Sequence, residues 1–161
     1  MRVYHGSLER VQTPEIRQAT RTLDYGTGFY TTTSAKQAEE WVRKRMSDSD
    51  ACKGYVNEYE LDLEALKQFN CAFFDSPTDE WLDFVMNNRL DRNFTHDYDV
   101  VYGPVANDRV YACFTLYEGG VMSKENLIKE LKTYELVDQY LFHTEQALKA
   151  LQFVKAKEIL P

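Results

Sequence analysis

Short runs of β-branched and aromatic residues alternate along this chain with segments whose apolar positions recur at helical spacing. Arg2–His5 predicts an opening strand that stops at Gly6-Ser7. Residues 8–24 show no period, are rich in Arg, Gln and Thr, and predict a loop that can hold a short helix after Pro14. Residues 25–33 read Tyr-Gly-Thr-Gly-Phe-Tyr-Thr-Thr-Thr, a glycine-bracketed turn feeding a second strand. Ser34 with Gln37 three residues on forms a capping box. The helix it starts places Ala35, Ala38, Trp41, Val42 and Met46 on one face, and residues 47–53 predict a polar break.

Farther on, Gly54–Asp62 and Asn70–Asp75 predict strands. Ser76-Pro77 predicts an N-cap and first helical position, for a helix that buries Trp81, Phe84 and Val85 and runs to about Asn88. After a charged loop over 89–97, Asp99–Tyr102 predicts a short buried strand ended by Gly103-Pro104. Asn107 predicts the cap of a helix with Val110, Cys113, Phe114 and Tyr117 inside, stopped by Gly119-Gly120. Ser123 caps the next, with Leu127, Ile128 and Leu131 inside. Leu136–Phe142 predicts a strand, Thr144 a cap for a short helix with Ala147, Leu148 and Leu151, and Gln152–Ile159 a last strand. The sum is a mixed α+β fold, with strands clustered at both ends of the chain.

Length and charge narrow the function classes. With 161 residues, a single domain spanning 1–161 is expected, large enough to bury a core without a metal or disulfide staple. A formal charge of −7 argues against a protein that coats nucleic acid, but not against a local basic patch. Arg17, Arg21, Arg43, Lys44 and Arg45 could form one. Cys52, Cys71 and Cys113 are odd in number and far apart, which suits reduced thiols and no zinc site. The N-terminus lacks a charged segment followed by an apolar run, and no apolar stretch is long enough to span a bilayer. A cytoplasmic protein with no membrane partner and no metal is expected.

Three segments carry candidate chemistry: Tyr4-His5-Gly6-Ser7, Gly26-Thr27-Gly28-Phe29-Tyr30 leading into the helix with Trp41, and Asp138-Gln139-Tyr140-Leu141-Phe142. Together they resemble the ADP-ribosyltransferase fold, in its diphtheria-toxin and poly-ADP-ribose-polymerase branch with a His-Tyr-Glu signature. They also resemble a small bacterial family within that fold, often the toxin of a toxin–antitoxin pair. Its familiar stretches are Leu23–Thr33, Tyr102–Asp108 and Phe142–Glu145.

The resemblance implies a split β-sheet core with flanking helices, and NAD as substrate. His5 would hold the adenosine ribose. Gly6 would meet the nicotinamide carboxamide, helped by Ser7. Tyr30 would stack on the nicotinamide, and Trp41 would form the second wall. Gln139 falls where the branch carries a catalytic Glu. It can hydrogen-bond a ribose hydroxyl but supplies no negative charge to an oxocarbenium-like centre. Three explanations stand: a family that uses Gln here, an inactivated copy, or a carboxylate from Glu145, Glu118 or Asp108. The implied activity is transfer of ADP-ribose to a protein or nucleic-acid acceptor, with an antitoxin as possible partner. NAD hydrolysis and a silent NAD- or ADP-ribose-binding module are the alternatives.

Overall fold

A computed structural model describes residues 1–17, 26–91, 93–105, 108–133 and 136–161. Seven strands form one sheet: β1 (Arg2–Ser7), β2 (Phe29–Thr32), β3 (Gly54–Leu61), β4 (Cys71–Phe73), β5 (Val100–Val105), β6 (Val137–Phe142) and β7 (Leu151–Ile159). Their order is β4-β5-β6-β2-β1-β3-β7. Every neighbouring pair is antiparallel except β4 with β5. Four helices accompany the sheet: α1 (Ala35–Ser49), α2 (Asp79–Leu90), α3 (Asp108–Glu118) and α4 (Lys124–Leu131). The fold is mixed α+β, as the patterning predicts.

Alternation along the strands sorts the core into layers. Val42 and Met46 of α1 pack with Val56 and Ile159 on one sheet face. Helices α2, α3 and α4 cover Val101 and Leu141 through Trp81, Leu82, Phe114 and Leu127. The opposite face buries Val3, Phe29, Tyr59, Val100, Tyr140 and Phe142. It is closed by two 3₁₀ turns, Ala65–Gln68 and Ala147–Ala150, and by Val11 and Ile16.

Several element ends differ from expectation for physical reasons. Strand β1 continues through Gly6-Ser7 because β3 pairs with it as far as Ser7 opposite Tyr55. Strand β5 runs through Gly103-Pro104, which pair with Gln139 and Asp138. Its other neighbour, β4, ends at Phe73 opposite Tyr102, so Pro104 interrupts no pairing with β4. The cap of α2 is Thr78, whose hydroxyl accepts from Trp81 N at 3.2 Å, rather than Ser76, and Pro77 stands outside the helix. Asp79 and Glu80 then occupy the first turn, where the helix dipole favours them.

Helix α1 extends to Ser49 and closes on Asp50 in the left-handed region (φ 54°), with its N–H directed to Met46 O and Ser47 O. Only Ala38, Val42 and Met46 are buried on it, while Ala35 is exposed and Trp41 is 41% exposed. The predicted loop over 8–24 is irregular as far as Arg17; its remainder, the Asn107 cap and Arg21 lie outside the described residues.

Candidate functional site

The three motif segments meet where β1 and β2 part. These strands share one ladder pair, Tyr4 with Thr32. Beyond it β1 stays with β3, and β2 stays with β6 from Phe29 to Thr32. A side chain crosses the gap instead: His5 Nδ1 lies 2.6 Å from Tyr30 O. A carbonyl only accepts, so Nδ1 carries the proton and Nε2 the lone pair. The ring stacks on Phe29, with centroids 4.2 Å apart. Burial, with smaller contributions from the Arg17 and Arg45 charges, lowers the His5 pKa from 6.5 to about 4, against the raising effect of its bond to Tyr30. The imidazole is therefore neutral near pH 7, with one nitrogen free to accept a hydrogen bond.

Gly6 has a packing reason that the motif alone does not disclose. A Cβ there would stand 2.6 Å from Ala38 O, 2.8 Å from Val42 Cγ2 and 3.3 Å from Trp41 Cδ1. The missing side chain thus lets α1 settle onto β1, and it brings Trp41 to the motif. The Ser7 hydroxyl accepts from Glu9 N at 3.1 Å, a local turn that starts the following loop.

Each residue of the Gly26-Thr27-Gly28 turn is fixed. Gly26 has φ +81° and accepts the Tyr30 hydroxyl at 2.5 Å. Thr27 O takes a hydrogen bond from His143 Nδ1 at 2.8 Å. A Cβ on Gly28 would lie 2.8 Å from Phe142 O. The Tyr30 ring is half-buried against the core under α2 and α3. His143 Nε2 is buried without a partner among the described residues, and its ring meets His96 edge-on at 4.5 Å. Burial pushes the His143 pKa down to about 4.

Gln139 stands in a row that crosses four strands: Tyr4 opposite Thr32, Thr32 opposite Gln139, Gln139 opposite Gly103. It is 7% exposed, and among the described residues its amide has no hydrogen-bond partner. Its donors and acceptor are uncommitted, and no charge accompanies them. Two of the three alternative carboxylates are engaged elsewhere. Glu118 pairs with Arg89 at 3.0 Å, and Glu145 accepts from Ile16 N at 3.2 Å. The side chain of Asp108 lies outside the described residues.

Two asparagines brace the site without belonging to the motifs. Asn57, fully buried opposite His5, donates to His5 O and Glu9 O and accepts from Val11 N. It ties the loop after β1 to the sheet. Asn88 of α2 donates to Phe84 O and fills the space beside Gly26. The signal for Asn57 is its share of a strand face with Tyr59 and Leu61, both buried. A polar residue heading an apolar row needs internal partners.

The basic residues do not act as one patch. Arg43 is bound by Glu39 at 2.8 Å and by Leu160 O. Arg17 pairs with Glu9 and Glu15 at the surface. Arg45 makes no ion pair among the described residues, and it lines a shallow open groove on the surface of α1 with Trp41, Lys44, Asp48 and Ser49. Among the described residues there is no group of metal-ligating side chains, and no helix is long and apolar enough to cross a membrane.

One antiparallel-dominated sheet, with helices over one face and a histidine bridging two parted strands, defines the class: a mixed α+β protein. Residues 1–153 match the family described as "Protein of unknown function (DUF3990)", and the chain belongs to that family. No curated protein and no solved structure matches it.

Proposed function

We propose that this protein binds NAD at the β1–β2 junction and transfers its ADP-ribose to a macromolecular acceptor, releasing nicotinamide. The observation that carries the reading is the parting of β1 from β2 after a single ladder pair, with neutral His5 spanning the gap. In the reaction the bond between nicotinamide nitrogen and ribose C1′ breaks, and nicotinamide leaves with the electron pair. The acceptor nucleophile attacks C1′ and gives up its proton.

His5 Nε2 would accept a ribose hydroxyl, because Nδ1–H is committed to Tyr30 O. Trp41, beside Gly6, and the Tyr30 ring would flank the nicotinamide, and Ser7 would meet its carboxamide. Gln139, with its uncommitted amide, would hold the hydroxyl of the nicotinamide ribose. The toxin of a bacterial toxin–antitoxin pair is the biological role that the motif resemblance favours.

One observation favours a second reading. Gln139 is neutral, and Glu118 and Glu145 are both engaged elsewhere. A site that binds NAD without cleaving it fits that charge pattern.

Nicotinamide release from NAD, with and without cell lysate, separates these readings. The transferase releases nicotinamide faster with lysate and loses activity in Tyr30→Ala. Release that ignores lysate indicates hydrolysis. NAD binding without release, restored by Gln139→Glu, indicates a silenced site. Absence of NAD binding refutes the proposal.

A further inference from the structure

The open groove on the outer face of α1 meets the proposed site only through Trp41. Trp41, Lys44, Arg45, Asp48 and Ser49 line it, on successive turns of one helix. Its formal charge is positive, from two cations and one carboxylate, on a chain of net charge −7. It adjoins the β1–β2 junction, because Trp41 Cδ1 is 3.3 Å from the position a Gly6 Cβ would take. Arg45 is exposed and unpaired among the described residues, whereas neighbouring Arg43 is fully engaged.

We propose that Arg45, with Trp41, forms the anchor for the diphosphate of the bound dinucleotide. This rests on the NAD reading above and names the residue that holds the charged middle of that substrate. A guanidinium suits the task, since its planar fork bonds two phosphate oxygens at once. The exposed indole supplies a flat apolar wall along which the adjoining nucleoside can lie. The charge of Arg45 reaches the junction, since it acts on His5.

The tryptophans provide the assay, because Trp81 is 1% exposed and Trp41 is 41% exposed. Quenching by ligand therefore reports Trp41. The full chain is titrated with NAD, ADP-ribose, inorganic pyrophosphate, adenosine and nicotinamide, as wild type, Arg45→Ala and Arg45→Lys. Arg45→Ala is expected to weaken NAD and ADP-ribose about tenfold, as loss of a charge-assisted contact does. Adenosine and nicotinamide are expected to stay within about twofold, and Arg45→Lys to recover part of the loss, as a point charge does. Unchanged melting of Arg45→Ala excludes misfolding as the cause.

Equal NAD affinity in wild type and Arg45→Ala overturns the anchor and leaves the NAD reading standing. Arg45-dependent binding of pyrophosphate and ADP-ribose without NAD binding keeps the anion site and overturns the NAD reading. No binding of any probe overturns both.

Discussion

Acid should destabilise this protein well before its carboxylates are protonated. His5 and His143 both fall from the ordinary pKa of 6.5 to about 4, chiefly through burial. In the unfolded chain each regains the ordinary value. Between those values the unfolded state holds more protons, so stability is complete above pH 6.5 and declines as pH falls toward 4. Each histidine then costs about 2 kcal/mol at pH 5, and the pair about 4 kcal/mol, as an upper figure for rings that are partly hydrated. Against a typical total of about 5–15 kcal/mol, that is a large share. The lowered carboxylates Glu39 and Glu60 are surface groups whose contribution is lost only below the ordinary value of 4.5, at the acid end of this window.

Urea unfolding followed by tryptophan fluorescence at about pH 7.5, 6 and 5 measures the slope. His143→Asn keeps an N–H for Thr27 O but does not titrate, so it should be less stable near neutrality and lose about half the pH dependence. A double variant, His5→Asn with His143→Asn, that retains the wild-type slope would refute the argument.

Three further outcomes follow from the geometry. Gly6→Ala forces a methyl group against the Ala38 carbonyl and should cost about 1–3 kcal/mol by urea unfolding, with loss of ligand quenching at Trp41. Asn57→Ala leaves Val11 N, His5 O and Glu9 O without their buried partner. It should cost about 3 kcal/mol and expose the loop after β1 to protease, a cleavage readable by mass spectrometry. Tyr30→Phe removes the hydroxyl held by Gly26 O while keeping the ring. It should cost about 1 kcal/mol in stability and change NAD affinity less than Tyr30→Ala does.

Helix and strand identities were largely legible because the apolar periods of α1, α2, β3 and β6 are local properties of the chain. The element ends were less so. Gly103-Pro104 looks like a stop, but the neighbouring strand has already ended there, so the proline breaks no ladder with it. Trp41 looks like core because it follows Ala38 at helical spacing, yet Gly6 and Gly54 draw α1 so close to the sheet that only a narrow stripe is covered. Of the motif residues, His5 meets the Tyr30 carbonyl and Gly6 meets Trp41. Asn57, Asn88 and His143 were not singled out as site supports because their partners lie far along the chain, at Val11, Gly26 and Thr27.

The glycine against α1 has a consequence for tracing activity through relatives. Gly6 is required by the helix, Gly28 by the end of β6, and the Tyr30 hydroxyl by the turn it closes. A descendant that abandoned its chemistry would still need all three to fold. The signature can therefore outlive the reaction, as a keystone outlasts the traffic through an arch. Position 139, whose amide has no partner among the described residues, is not tied to the fold in this way. On the NAD reading proposed above, sorting relatives by that one residue, rather than by the motifs that surround it, would separate working sites from relics.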